Sequence, residues 1–83
     1  MARADKRLED MRSNPKADWT IDDVRAVCDG HGVELRKPKN GSHFKVTHDT
    51  QSDILTIPYD RPIKAVYIRR LVEFIDAVKD TDP

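Results

Sequence analysis

The run Asn40-Gly41-Ser42-His43-Phe44-Lys45-Val46 holds the residues of this chain best suited to chemistry. A glycine turn opens it, and an alternating pattern follows. In a strand, side chains at every second position share a face. Phe44 and Val46 then point inward, and His43, Lys45 and Thr47 point outward together. A histidine held beside a cation can move a proton close to a phosphate, because its ordinary pKa lies near neutrality. The plain alternative is a solvent-exposed hairpin histidine with no chemical role, as most surface histidines are.

Other catalytic constellations do not form. Ser42 and His43 are adjacent in the expected strand, so their side chains take opposite faces, which argues against a serine nucleophile with His43 as its base. No phosphate-binding glycine loop occurs, and three histidines and one cysteine lack zinc-site spacing. No metal and no cofactor is expected. Cys28 lies in a helical pattern and reads as a small buried side chain. His31 sits at an expected helix end, where a cation is favoured, and needs no catalytic explanation. One histidine flanked by cations suffices where the substrate supplies its own nucleophile. RNA does so through the ribose 2′-hydroxyl, with no call for a metal.

The elements that must position these residues can be read in order. Residues 3–14 form a charged helix with Leu8 and Met11 as its apolar anchors, ended by Asn14-Pro15. Thr20 is an N-cap, with Asp22 and Asp23 in the first turn and a Trp19–Val24 staple. Ile21, Val24, Val27 and Cys28 form that helix's apolar stripe, and Gly30 and Gly32 are stop signals. Strands are expected at 33–36, 42–48 and 53–57, with 49–52 as a polar hairpin connection. His48 reads as a strand-end boundary residue. A last helix over 65–79 buries Ile68, Leu71, Val72, Ile75 and Val78, with Arg69 and Arg70 neighbouring Glu73 on its surface. Residues 80–83 are expected to be a disordered tail.

The fold class is therefore α+β: helix, three-stranded antiparallel sheet, helix, with a short N-terminal helical extension. Residues 1–19 are extension and linker, and 20–79 are the domain. Both amphipathic helices cover one sheet face, leaving Glu34, Arg36, His43, Lys45 and Thr56 on the other.

Length and charge agree with one small domain. The chain has 83 residues, 37% of them hydrophobic, and no run near the roughly 18 apolar residues of a membrane span. A cytoplasmic protein is expected, without a signal peptide. Its 15 basic and 15 acidic residues cancel, but not locally. Segments 35–48 and 61–72 each hold four cations and no acid; the remainder holds 7 basic and 15 acidic residues. A neutral chain can still present a basic face.

Gly41-Ser42-His43, Thr56-Ile57-Pro58, and Pro62-Ile63-Lys64 before Tyr67-Ile68-Arg69 together resemble HicA toxins of bacterial type II toxin–antitoxin systems. Lys6-Arg7-Leu8-Glu9, Met11-Arg12, Asn14-Pro15-Lys16 and Trp19 resemble a subgroup with an N-terminal extension. The resemblance spans nearly the whole chain. It implies a fold similar to the double-stranded RNA-binding domain. It implies a ribosome-independent endoribonuclease that cleaves mRNA, arresting translation and growth, with His43 as its acid/base and Gly41 and Ser42 completing the motif. It also implies a HicB-like antitoxin that masks His43, with DNA contacted only through that partner. Lys45, Lys39, Lys37 and Arg36 are the candidate phosphate-holding residues.

Two other functions compete. A non-catalytic RNA-binding module would use the same sheet and basic segments, although the last helix lacks a lysine-rich start. A nuclease-inactive protein-interaction partner would suit the neutral net charge.

Overall fold

The computed structural model describes residues 3–39, 41 and 43–81. Six elements follow one another: α1 (Arg3–Ser13), α2 (Ile21–Gly30), β1 (Glu34–Arg36), β2 (His43–His48), β3 (Gln51–Pro58) and α3 (Ala65–Thr81). The architecture is α+β, with a helix, a three-stranded antiparallel sheet and a helix, preceded by an N-terminal helix.

Helix α2 starts where its local chemistry directs. The Thr20 hydroxyl accepts the Asp23 N–H, and the Asp23 carboxylate accepts the Thr20 N–H at 3.0 Å, a reciprocal capping box. Val24 is fully buried and Trp19 packs against the core. The helix ends at Gly30, as expected, with His31 as its C-cap and Gly32 following at φ +68°. Gly30 also makes a close contact: a Cβ there would collide with the Cβ of Ala4 on α1.

Helix α1 is a docked element. Leu8 and Met11 are completely buried, and the helix packs against α2 and α3. Asp5 and His31 also join α1 to α2. The imidazole Nδ1 faces the Val27 carbonyl at 2.8 Å and Nε2 faces the Asp5 carboxylate at 2.9 Å. The linker is fixed by Trp19, whose indole N–H donates to the Asn14 carbonyl and whose own carbonyl accepts the Ile63 N–H.

The sheet order is β1-β2-β3. Leu35 pairs with Val46, and Phe44 with Ile57, so the inner face is apolar and the helices cover it. Strand β3 begins at Gln51 rather than at 53, and the hairpin turn is only Asp49-Thr50. His48 closes that turn: its Nδ1 accepts the Thr50 N–H at 3.1 Å and lies 2.7 Å from the Thr50 hydroxyl. A register shift between Val46 and His48 accommodates the tightening.

All five expected stripe residues of α3, Ile68, Leu71, Val72, Ile75 and Val78, are buried. The helix runs two residues further than expected, through Asp80 and Thr81, whose hydroxyl donates to the Val78 carbonyl. Residues 82 and 83 of the expected tail lie outside the described residues. Arg69 and Arg70 form no ion pair with Glu73 among the described residues; the α3 carboxylate that is paired is Asp76, held by Arg12. Cys28 is a core residue. Burial, then the neighbouring Asp29 charge, pushes its thiol up to about 12, so it carries no thiolate at neutral pH.

Candidate active site

The open sheet face carries the candidate residues. His43 and Lys45 are both exposed, whereas Phe44 and Val46 between and beside them are buried. Cross-strand pairing fixes their neighbours. His43 lies opposite Pro58, and Lys45 sits between Arg36 on β1 and Thr56 on β3. Two positions along a strand separate His43 from Lys45, about 7 Å. Phe44 anchors this end from below, with its ring stacked on Tyr59 at 5.9 Å between centroids. Arg61 donates to the Tyr59 hydroxyl at 3.0 Å.

One groove of about 480 Å³ gathers most of the expected site. Arg36, Lys37, Pro38, Lys39, His43 and Lys45 line it. They come from β1, β2 and the connection between those strands. Gly41 stands in that connection with φ +93°, a conformation that L side chains rarely adopt, and a Cβ there would meet nothing within 4 Å. Backbone geometry, not space, therefore calls for glycine. Ser42, the remaining member of the motif, and Asn40 lie outside the described residues.

The cations of the groove are not equivalent. Arg36 is directly opposite Lys45, an unfavourable like-charge pairing. Glu34 offsets it: its Oε1 lies 3.3 Å from Arg36 Nε, and its Oε2 accepts the Thr47 hydroxyl at 3.2 Å. Arg36 is thus partly neutralised. Lys37, Lys39 and Lys45 make no ion pair among the described residues. Glu34 was readable as a member of this face but not as the partner of Arg36. The signal was present, because positions i and i+2 of a strand stand side by side.

The second basic segment does not extend the groove. Arg69 lines a cleft with Arg12 between α1 and α3, and Arg70 lines another beside β3. The cations that line the groove therefore all come from segment 35–48.

An exposed imidazole carried by a paired strand in a lysine-lined groove can exchange a proton with a bound phosphate ester while the ammonium groups hold its charge. Among the described residues, no cluster of three or more histidine, cysteine or acidic side chains forms a metal site. No protein family, curated protein or solved structure matches this chain.

Proposed function

We propose that this protein is an endoribonuclease of the HicA-like toxin type, cleaving cytoplasmic mRNA by histidine acid/base catalysis. The single observation that supports this most is the presence of exposed His43 in one groove with Lys37, Lys39 and Lys45. The Gly41-Ser42-His43 resemblance points to the same residue.

In this reading the lysines hold the phosphate between two nucleotides. The ribose 2′-oxygen attacks phosphorus, the bond to the 5′-oxygen breaks, and a 2′,3′-cyclic phosphate forms. The 2′-hydroxyl proton leaves and the 5′-oxygen gains one. His43 carries one of these transfers and water the other. Lys45, about 7 Å along the strand, offsets the negative charge that builds on the non-bridging oxygens. No step requires a metal. A HicB-like antitoxin would inhibit by covering this groove, and any contact with DNA would belong to that partner.

The test is induction of wild type beside His43→Ala in a bacterial host, with growth and mRNA integrity followed over time. Purified protein with RNA in the presence of a chelator gives the same comparison in vitro. Growth arrest and cleavage by the wild type alone support the reading. Arrest by both proteins with intact mRNA overturns it. One observation favours a second reading, a nuclease-inactive protein-interaction partner: the whole chain is neutral. Absence of both RNA binding and cleavage in the wild type would select that reading.

A further inference from the structure

Strands β1 and β3 both form edges of the sheet, but they are built differently. Strand β1 is three residues long and carries Glu34 and Arg36, features that discourage pairing with another chain. Strand β3 is eight residues long, Gln51-Ser-Asp-Ile-Leu-Thr-Ile-Pro, with Asp53 as its only charge. Its proline stands at the far end, and no lysine protects it. Among the described residues no strand pairs with its outer side.

Both flanks of this edge are unfinished. Ile54 points to the open face and is 58% exposed, the most exposed large apolar side chain described. On the helical flank, a groove of about 450 Å³ runs between β3 and α3, lined by Asp53, Leu55, Arg70, Glu73 and Phe74, among others. Leu55 and Phe74 are only half-buried. Arg70 and Glu73, about one helical turn apart, are exposed and unpaired among the described residues.

We infer that β3 is the dimerisation edge of this protein and that its occupant is a second copy of the same chain. A two-fold axis perpendicular to the sheet sets the two β3 strands antiparallel and joins them into six strands. Such an interface must be self-complementary. Centring the axis on Ile54 satisfies this. Ile54 then meets Ile54 of the second copy, Ser52 faces Thr56, and Asp53 faces Leu55. Centring on Asp53 instead would oppose two carboxylates. The same axis brings the two α3 helices side by side and antiparallel, so that Arg70 faces Glu73 of the second copy and Glu73 faces its Arg70. This reciprocity makes a second copy the fitting occupant, since an unrelated strand would have to supply both charges in matching order. The His43 groove is built from β1, β2 and their connection, so the dimer leaves it open. The inference therefore does not depend on nuclease activity.

Sedimentation velocity of the full chain across a concentration series provides the test. The wild type is expected to reach twice the 9.5 kDa of one chain. Ile54→Lys is expected to remain a monomer. Arg70→Glu opposes acid to acid and should raise the dissociation constant about tenfold or more. Arg70→Glu/Glu73→Arg restores opposite charges and should return the constant to near its wild-type value. All these positions are exposed, and circular dichroism melting verifies that each variant folds. A monomeric wild type at the highest concentration overturns the inference. So does a dimer that persists in Ile54→Lys, or a double variant as weak as Arg70→Glu.

Discussion

Arg12 on α1 grips Asp76 on α3 through two N–H···O bonds, Nη1 to Oδ2 at 2.6 Å and Nη2 to Oδ1 at 2.8 Å. The two residues are 64 positions apart. A bidentate guanidinium–carboxylate pair favours both charged forms. Chiefly through these hydrogen bonds, Arg12 holds the Asp76 carboxyl below its ordinary range, and Asp76 raises the Arg12 guanidinium above its own.

This pair predicts a definite pH dependence. A carboxyl whose pKa is lowered by folding stabilises the native state above its ordinary range, and the contribution disappears as pH falls through the lowered native value. Asp76→Asn should therefore cost stability at neutral pH and nothing in strong acid. Both side chains remain more than a third exposed, at 41% and 36%, so water screens them and the loss should be about 0.5–1 kcal/mol. Urea unfolding of both proteins at pH 7 and in acid measures it. A gap that persists in acid would contradict the assignment.

Gly30→Ala is predicted to destabilise the protein although alanine is the better helix former. Propensity alone would favour the substitution by about 1 kcal/mol. The added methyl, however, meets Ala4 and pushes α1 away from α2, an overpacking cost of about 1–3 kcal/mol. Ala4→Gly in the same chain should recover most of the packing loss. A double-mutant cycle by chemical denaturation gives the coupling between the two sites.

Glu34→Gln is predicted to strengthen RNA binding. The substitution releases Arg36 in a groove that already carries three lysines. One further phosphate contact should steepen the salt dependence of single-strand binding by about 0.7 in log–log slope. A titration of uncleaved RNA against His43→Ala and His43→Ala/Glu34→Gln at several salt concentrations reads it. An unchanged slope would mean that Arg36 does not reach the backbone.

Much of this arrangement was legible because one side of each element is buried. The α3 stripe and the inward parity of Phe44 and Val46 were set by apolar spacing, so the outward placement of His43 and Lys45 followed. Residues 51 and 52 misled for the opposite reason. Both are polar and lie on an edge strand beside a two-residue turn, where solvent access removes the alternation that marks a strand. Long-range polar pairs left no local trace at all. Arg12 also pairs within its own helix, with Glu9 at 3.2 Å, and Glu73 offered α3 a nearer acid for Arg69 and Arg70. Only the docking of α1 against α3 selects Asp76.

That docking also bears on how the chain is assembled as it is synthesised. Helix α1 emerges early, but Met11 shares a cleft with Val72 and Asp76, which follow more than fifty residues later. The nascent chain can lay α1 against α2, yet the far side of α1 stays open until α3 has left the ribosome. Helix α3 therefore closes the seat of a helix made before it.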